Sequence, residues 1–329
     1  MKLIIQIPCY NEADTLPRTL ADLPRELREY GIDRVETLVV DDGSTDGTAD
    51  VARRAGATYI VRLSRNQGLA SAFSAGLDAA LKLGADLIVN TDADNQYRGE
   101  DVAKLITPIL AGEADMVIGD RHGRGIDEFS ATKRVLQRFG SWVVRHASQT
   151  DIPDAASGFR AMNREAALKL TVVSEFTYTL ETIIQAGAKH LTLAHAPVGT
   201  NPPTRPSRLF RGIGQYVFRS AGTIIRIYAM YQPMRFFSII GGLLVGGGLL
   251  ISLRFLYFFF TDGGGGHVQS LIFAAVLMIV GFQVLLIGLV ADLIAGHRRI
   301  SEDLLYRMKK LELGHAEEGR ATRAEEPIR

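Results

Sequence analysis

Two apolar stretches near the carboxyl end constrain the fold of this 329-residue chain most strongly. Residues 236–260 contain a single charged side chain, Arg254, and residues 268–295 contain a single one, Asp292. Each stretch is longer than the roughly 20 helical residues that span a bilayer core, and neither has a polar face. We therefore predict two transmembrane helices, and a helical hairpin buried in a soluble core is the alternative.

Basic residues at the ends of these stretches predict their orientation. Arg235 precedes the first stretch, residues 297–299 (His-Arg-Arg) follow the second, and the loop at 261–267 has no Lys or Arg. Since basic residues favour the cytoplasmic side, we expect a multi-pass protein of the cell (inner) membrane whose amino-terminal domain and tail are cytoplasmic. The polar start of the chain, which does not resemble a signal peptide, agrees with this expectation. Arg254 is expected to snorkel to the outer surface, and a contact with another subunit is the alternative.

The net charge and the single cysteine limit the partners and sites that this chain can have. The 37 basic and 36 acidic residues nearly balance, so the net charge of +1 gives no reason to expect a nucleic-acid partner. Cys9 is the only cysteine, which rules out an intrachain disulfide and a zinc site built from cysteines. We expect Cys9 to be a small buried residue beside a strand rather than a nucleophile.

Residues 1–200 alternate between strand-like and helix-like patterns. We expect strands at 3–7, 36–40, 58–63, 87–90 and 115–119. We expect helices between them at 15–30, 47–55, 67–83 and 99–111. This alternation predicts an α/β fold, a mostly parallel sheet with helices on both faces, whose ligands bind at the carboxyl ends of the strands.

The segment 86–97 combines a predicted strand with acidic residues at its carboxyl end. Asp92 and Asp94 follow the apolar residues 87–89 and are separated by one small residue. Two carboxylates with this spacing can hold a hard divalent cation, and Gln96 adds a third oxygen nearby. A cation with open coordination positions suits the diphosphate of a nucleotide-activated substrate.

Asp41 and Asp42 also follow a predicted strand. Acidic side chains at such a strand end can accept hydrogen bonds from a base or from ribose hydroxyls. Gly43 permits a sharp turn and Ser44 can cap the next helix, so capping alone is the alternative for the second half of this motif. Residues 65–69 (Arg-Asn-Gln-Gly-Leu) again join a strand to a helix start, which is a natural anion site.

Four motifs occur in the order typical of one enzyme family. They are 8–12 (Pro-Cys-Tyr-Asn-Glu), 41–48 (Asp-Asp-Gly-Ser-Thr-Asp-Gly-Thr), 92–96 (Asp-Ala-Asp-Asn-Gln) and 157–160 (Ser-Gly-Phe-Arg). The series resembles glycosyltransferase family 2, which has the Rossmann-like GT-A fold. Within that family it is most similar to polyprenyl-phosphate glycosyltransferases of the dolichyl-phosphate mannose synthase type, over residues 1–210. The Gln-x-x-Arg-Trp motif of processive synthases is absent from the sequence.

The resemblance implies roles for the residues that match the family's motifs. The nucleotide-sugar pocket would be lined by Pro8, Tyr10, Glu12, Asp41, Asp42, Asn66, Gly68, Asp92 and Ala93. Mg²⁺ or Mn²⁺ would be bound by Asp92, Asp94 and Gln96, and the catalytic residues would be Asp94, Arg121 and Glu181. The acceptor or donor phosphates would be bound by Arg121, Ser157, Arg160, Arg205, Ser207 and Arg208.

The resemblance and the composition together predict four parts of the chain. Residues 1–207 would form the cytoplasmic GT-A domain, and residues 208–234, which include arginines but no acid, would form juxtamembrane helices on an anionic membrane surface. Residues 235–296 would hold the two transmembrane helices. Residues 297–329 would form an amphipathic helix followed by disorder, with an apolar face of Leu304, Leu305, Met308 and Leu311.

The implied function is inverting, metal-dependent transfer of one sugar from a GDP- or UDP-sugar to a polyprenyl (undecaprenyl or dolichyl) phosphate. A phosphate acceptor is already an anion, so no strong general base is required. One alternative is an enzyme of the same family that uses another lipid or glycan as the acceptor. The other is a catalytically silent membrane adaptor with the same fold. An oxidoreductase would need a Gly-x-Gly-x-x-Gly turn after the first strand, where this chain has Pro8-Cys9-Tyr10. The sequence does not identify the sugar or the downstream pathway. It also leaves open whether the chain forms a homo-oligomer.

Overall fold

The computed structural model describes residues 1–121, 152–172, 178–202, 222, 225–226, 228–262 and 268–325, with residues 315–325 as backbone only. The chain divides into two compact units, Met1–Ala221 with Glu302–Arg329, and Gly222–Ser301. The first unit holds a seven-stranded sheet. The second holds most of two long apolar helices.

The strands of the sheet follow one another in the order of the chain as β1 (Lys2–Cys9), β2 (Arg34–Asp41), β3 (Tyr59–Arg62), β4 (Leu87–Asn90), β5 (Met116–Asp120), β6 (Arg160–Asn163) and β7 (Leu193–Pro197). Their spatial order is β3-β2-β1-β4-β6-β5-β7. Within this sheet β6 is antiparallel to its neighbours β4 and β5, and the other pairings are parallel. The predicted mostly parallel α/β fold is therefore confirmed, with β6 and β7 in addition to the five predicted strands.

The described helices are α1 (Leu16–Asp22), α2 (Thr48–Arg54), α3 (Leu69–Lys82), α4 (Val102–Leu110), α5 (Arg164–Lys169), α6 (Thr179–Ala188), α7 (Pro233–Asp262) and α8 (Val268–Glu325). The predicted helix at 15–30 is wrong in its second half. α1 ends at Asp22, and Leu23 is extended with ψ 141°. Pro24 follows directly, and a proline disfavours helical backbone in the residue before it.

The core of the first unit surrounds the central strands. Residues 3–9 of β1 are all buried, and so is every residue of β4. Strands covered on both faces are apolar throughout, which is why the sequence revealed them. β1 lies between β2 and β4, with Cys9 paired to Asp41 and Gln6 paired to Asn90. The turns that follow these three strands therefore meet at one edge of the sheet.

α7 and α8 each contain a segment that is long and apolar enough to cross a membrane. The segments are Pro233–Thr261 and Val268–Gly314, with mean hydropathies of 2.1 and 2.7. Only 11% and 17% of the 18-residue windows that define them are buried, whereas a core helix of a soluble protein would be mostly covered. This exposure argues against the buried hairpin and makes the pair a candidate membrane anchor. The two helices approach closely, since a Cβ atom on Gly241 would lie 2.9 Å from the carbonyl oxygen of Gly281.

The tail helix packs on the first unit through its more polar side. α8 continues as one helix to Glu325, where the sequence predicts a separate helix and then disorder. Glu302 lies 2.8 Å from Lys189, Tyr306 Oη donates to Glu165 at 2.6 Å, and Leu313 is buried. The predicted apolar face is instead exposed at Leu304, Leu305, Met308 and Leu311.

The predicted juxtamembrane segment, 208–234, falls largely outside the described residues. Residues 228–231 are helical and directly precede α7. In the same unit, the guanidinium carbon of Arg298 lies 4.4 Å from the ring centroid of Tyr231. The contact places a cation on an aromatic face. It joins the start of the apolar segment of α7 to the end of the apolar segment of α8.

Candidate active site

The turns after β1 and β2 interlock. Asn11 Oδ1 accepts a hydrogen bond from Thr45 N at 2.9 Å, and Asn11 N donates to Ser44 Oγ at 2.9 Å. Glu12 N donates to Thr48 Oγ1 at 3.0 Å. Asn11 has a φ of 55°, a left-handed conformation that asparagine tolerates when its short side chain bonds locally. The first two motifs therefore form one structure at the edge of the sheet.

Asp42 is buried, and the backbone engages both of its carboxylate oxygens. Oδ1 accepts from Gln67 N and Oδ2 accepts from Gly68 N, each at 2.8 Å. Burial raises the pKa of Asp42, and these two N–H groups oppose the rise. Asp42 therefore holds the third strand–helix loop against the second one, and its binding to a base or ribose stays a prediction.

Asp41 and Gly43 shape the same turn. Asp41 Oδ1 accepts from Ser44 N at 2.9 Å, and Asp41 Oδ2 lies 3.3 Å from Arg62 Nε. Gly43 has a φ of 68°, and a Cβ atom there would lie 2.4 Å from the backbone of Arg65. Glycine is therefore required at this position both for its conformation and for the close approach of the two loops.

The remaining residues predicted to line the nucleotide pocket differ in exposure. Tyr10 is 45% exposed and Asn66 is exposed, whereas Pro8 and Ala93 are buried. The carbonyl oxygen of Ala93 accepts a hydrogen bond from Thr19 Oγ1 of α1 at 2.9 Å. Ala93 thus anchors the turn after β4, while Tyr10 and Asn66 are available to a ligand.

Asp92 and Asp94 lie close enough in the turn after β4 for their charges to interact. Burial and then the charge of Asp94 raise the pKa of Asp92 to about 7, and Arg121 and Arg160 oppose the rise. Asp92, Asp94 and Gln96 are each partly exposed. Two crowded carboxylates that solvent can reach suit a hard divalent cation, which would relieve their repulsion.

The donor set for such a cation is small. Over the described ranges, no group of three or more His, Cys, Asp or Glu side chains could hold a metal ion. Asp92 and Asp94 would therefore supply two carboxylate ligands, with the amide oxygen of Gln96 nearby. Mg²⁺ is commonly bound by one or two carboxylates together with phosphate oxygens, so this set fits a metal that also binds a diphosphate.

Gly158 leaves room for the carboxylate of Asp92. A Cβ atom on Gly158 would lie 2.8 Å from both carboxylate oxygens and 3.0 Å from Tyr178 Oη. Gly158 N donates to Tyr97 Oη at 3.2 Å, and the buried ring of Tyr97 stacks on Phe159 with centroids 4.9 Å apart. The Ser-Gly-Phe-Arg motif thus forms a cradle behind the turn after β4, residues 92–96.

Arg121 lies near Asp92 and is held by Asp154. Arg121 Nε donates to Asp154 Oδ2 at 2.6 Å, and one terminal nitrogen of Arg121 donates to Oδ1 at 2.9 Å. The Arg121 side chain is still 32% exposed. Because a guanidinium has five N–H donors, the group can bind a phosphate oxygen without releasing Asp154.

Three other predicted site residues are enclosed by the protein. Ser157, Arg160 and Glu181 are each 0% exposed. Arg160 donates to Thr182 Oγ1 at 2.6 Å and to the carbonyl oxygen of Thr179 at 3.1 Å, so it joins β6 to α6. Phosphate binding by Ser157 and Arg160 and catalysis by Glu181 stay predictions.

Arg205, Ser207 and Arg208 lie outside the described residues. The chain just before them reaches the turn after β4, which we predict to bind the metal. Asn201 N donates to the carbonyl oxygen of Gln96 at 2.8 Å, and Asn201 Nδ2 donates to that of Asn95 at 3.0 Å.

Sequence reasoning missed a buried polar network behind the turn. Asn90 Oδ1 accepts from Gln6 Nε2 at 2.9 Å, and Asn90 Nδ2 donates to the Gly158 carbonyl oxygen and to Tyr178 Oη, each at 2.8 Å. Tyr178 stacks on Phe73 with ring centroids 3.9 Å apart. Asn90 could have been found from the sequence, because it is a polar residue at the end of an apolar strand. No sequence pattern near Tyr178 indicated that this residue is part of the network.

Comparison with known proteins decides the family. Residues 4–171 match the family model described as glycosyl transferase family 2. This chain belongs to glycosyltransferase family 2. The family 2 chain is 28% identical to glycosyltransferase AglJ of Haloferax volcanii, over 94% of this chain and 97% of that protein. It is 30% identical to the polyprenol monophosphomannose synthase of Mycolicibacterium smegmatis, over 51% of this chain and 64% of that protein.

A solved structure agrees with the fold of this family 2 enzyme. Glucosyl-3-phosphoglycerate synthase of Mycobacterium tuberculosis, in complex with Mn²⁺, UDP-glucose and phosphoglyceric acid, superposes with a TM-score of 0.53. The superposition covers 69% of this chain and 80% of that chain, at 20% sequence identity. At this identity the likeness establishes the GT-A fold and nothing about the substrate.

Proposed function

We propose that this family 2 glycosyltransferase transfers one sugar from a nucleotide sugar to a polyprenyl phosphate at the cytoplasmic face of the inner membrane. The observation that carries the proposal is the partly exposed pair Asp92 and Asp94 at the carboxyl edge of the sheet, where Gly158 leaves room for the carboxylate of Asp92. The polyprenol monophosphomannose synthase among its relatives supports a polyprenyl phosphate as the acceptor. The two long apolar helices support a multi-pass membrane anchor.

The donor would bind where the three strand ends meet. Tyr10 and Asn66 are exposed there to a base or ribose, next to the turn that Asp41 and Asp42 stabilise. Asp92, Asp94 and Gln96 would hold Mg²⁺ or Mn²⁺ together with the diphosphate. When bound, the metal supplies Lewis-acid neutralisation of the departing diphosphate. The relative solved with Mn²⁺ and UDP-glucose is consistent with such a ligand pair.

The acceptor would need charge neutralisation rather than a base. A phosphate monoester is ionised at neutral pH, so its oxygen can attack without losing a proton to the protein. Arg121, fixed by Asp154 and partly exposed near Asp92, can bind that phosphate through its remaining N–H groups. One in-line displacement then inverts the anomeric carbon.

Arg205 and Arg208 remain candidates for the same phosphate. Arg205 follows Asn201 by only four residues in the sequence. Asn201 itself is bonded to the carbonyl oxygens of Asn95 and Gln96. The reach of the chain thus allows these arginines to approach the metal-binding turn.

Membranes that contain the enzyme test this proposal when they are incubated with undecaprenyl phosphate and a panel of radiolabelled GDP- and UDP-sugars. We expect label from one nucleotide sugar to enter the organic phase as a lipid-linked sugar. Mild acid should release the labelled sugar from this product. Label that enters only a water-soluble glycan, or no transfer with any donor, would contradict the proposed acceptor.

A further inference from the structure

Asn201, which follows β7, bonds the turn after β4 that is proposed to bind the metal. Its backbone N donates to the carbonyl oxygen of Gln96 at 2.8 Å, and its side-chain Nδ2 donates to that of Asn95 at 3.0 Å. Two consecutive carbonyl groups are therefore fixed by one residue. Asn201 lies 106 positions further along the chain from Asn95, so this contact exists only in the folded protein.

The chain around Asn201 is itself well fixed. Thr200 forms an antiparallel bridge with Tyr97, and Gly199 N donates to Asp101 Oδ2 at 2.6 Å. The segment after β7 therefore runs alongside the turn for several residues. Asn201 bonds both positions between Asp94 and Tyr97, Asn95 through its side chain and Gln96 through its backbone N.

The turn contains a left-handed residue whose conformation depends on its neighbours. Asn95 has a φ of 58°, in the left-handed region that non-glycine residues seldom occupy. A conformation of this kind persists only when its surroundings hold it. Asp94 Oδ1 accepts from Gln96 N at 3.2 Å, so the orientation of the Asn95–Gln96 peptide also sets the position of the Asp94 carboxylate.

Other contacts hold the turn at different points. Thr19 bonds the carbonyl oxygen of Ala93, and Tyr97 holds Gly158 against Asp92. Neither contact restrains the peptide groups of Asn95 and Gln96. In the described part of the chain, the side chain of Asn201 is the group that fixes the carbonyl of the left-handed residue.

We propose that Asn201 is a positioning residue whose side-chain amide holds Asp94 and Gln96 in the geometry that binds the divalent cation. Because the cation belongs to the proposed function, this role rests on that function. The amide acts by donating a hydrogen bond, and the shape of the side chain alone is insufficient. Asparagine and aspartate have nearly the same shape, but an ionised aspartate cannot donate.

The test measures Mn²⁺ binding by electron paramagnetic resonance of free Mn²⁺, with the full chain in detergent and with UDP or GDP present. We expect Asn201→Ala to weaken Mn²⁺ binding about tenfold, the usual lower range for loss of a residue that orients metal ligands. Asn201→Asp should weaken it at least as much, although it adds a negative charge near the cation. Thermal melting is recorded for each variant.

Asn163→Ala is the matched control. Asn163 also uses its side chain in local structure, accepting from Ala166 N at 2.7 Å and donating to Asp115 Oδ1 at 2.9 Å. Its loss should lower the melting temperature at least as much as Asn201→Ala and leave Mn²⁺ binding unchanged. A general effect of weakened folding would instead move Mn²⁺ binding in both variants, which would overturn the positioning role.

The outcomes separate this role from the proposed function. The positioning role is overturned if Asn201→Ala binds Mn²⁺ as tightly as the wild type does, or if Asn201→Asp binds it more tightly. Either result leaves the metal site standing. A wild-type protein that binds no Mn²⁺ with either nucleotide overturns the metal site and the role together. Loss of binding in both Asn201 variants, with Asn163→Ala unaffected, is the predicted result.

Discussion

The carboxylate of Asp92 lies against Gly158 at a distance that only a glycine permits. A Cβ atom at position 158 would lie 2.8 Å from both carboxylate oxygens, so the side chain of Asp92 would have to move. We expect Gly158→Ala to weaken Mn²⁺ binding about tenfold and to lower the free energy of unfolding by about 1–3 kcal/mol. Calorimetric titration with Mn²⁺ and nucleotide, and thermal melting, measure the two effects.

Gly314→Ala provides the control for that variant. A Cβ atom on Gly314 would meet nothing within 4 Å, and alanine favours the helix in which this residue lies. We expect unchanged Mn²⁺ binding and equal or slightly higher stability. If Gly158→Ala behaves like Gly314→Ala, the space behind Asp92 is not needed for the metal.

The raised pKa of Asp92 predicts a pH dependence of metal binding. Burial and the neighbouring Asp94 raise this pKa to about 7, so below pH 7 a proton must leave before a cation can bind. We expect Mn²⁺ affinity to rise about fivefold from pH 6 to pH 7 and about tenfold from pH 6 to pH 8, and to level off above pH 8. Titrations across this range check the slope, and affinity that stays flat from pH 6 to pH 8 would contradict the assignment.

The same group affects the stability of the metal-free protein with the opposite sign. A carboxyl whose pKa is higher in the folded state contributes stability below its unfolded pKa of about 4, and that contribution is lost as pH rises to about 7. We expect Asp92→Asn to flatten this part of the stability profile. Melting temperatures of both proteins between pH 5 and pH 8, without divalent cations, make the comparison.

Arg121 should matter for the lipid phosphate through its paired N–H groups. Arg121→Lys keeps the charge but loses the fork that bonds Asp154 and can bond phosphate. We expect the KM for polyprenyl phosphate to rise about tenfold while nucleotide affinity stays within about twofold. Arg53→Lys, the same change in the exposed surface pair with Asp50, should alter neither value. Loss of nucleotide affinity in Arg121→Lys would assign this arginine to the donor instead.

The tail helix should stabilise the catalytic unit through Tyr306. Tyr306 Oη donates to Glu165, whereas Met308, two residues later, is 66% exposed. We expect Tyr306→Ala to lower the free energy of unfolding by about 1–2 kcal/mol and Met308→Ala to change it little. Chemical denaturation in detergent measures both. A larger effect of Met308→Ala would mean that the apolar face carries the packing.

The strands and the position of the acidic turn after β4 could be predicted because their signals are local. The apolar residues 87–89 form a strand covered on both faces, and the acids that follow it emerge at its carboxyl end. Partners that lie far along the chain left no such signal. Both carboxylate oxygens of Asp42 bond the backbone of Gln67 and Gly68, and no local pattern marked those partners. Asn201 and Asn95 are likewise joined only by the fold.

The tail helix gives a second example of contacts that the sequence pattern does not mark. Helical spacing of Leu304, Met308 and Leu311 identified an apolar face, yet periodicity does not say which face a neighbour covers. In the structure Glu302 and Tyr306 make the contacts with the first unit. Their partners, Lys189 and Glu165, lie far along the chain and are invisible in the pattern of the helix itself.

Sugar transfer to the lipid by Asp94→Asn, compared with the wild type, tests the central claim most directly. Asparagine keeps the shape of Asp94 but removes the charge that a divalent cation requires. Wild-type membranes given undecaprenyl phosphate and the labelled donor should place label in the organic phase, lose this activity with EDTA and regain it with Mn²⁺. We expect Asp94→Asn to remain folded in the membrane and transfer no label. Wild-type transfer that EDTA leaves intact, or substantial transfer by Asp94→Asn, would contradict the claim that these two carboxylates hold the metal for this reaction.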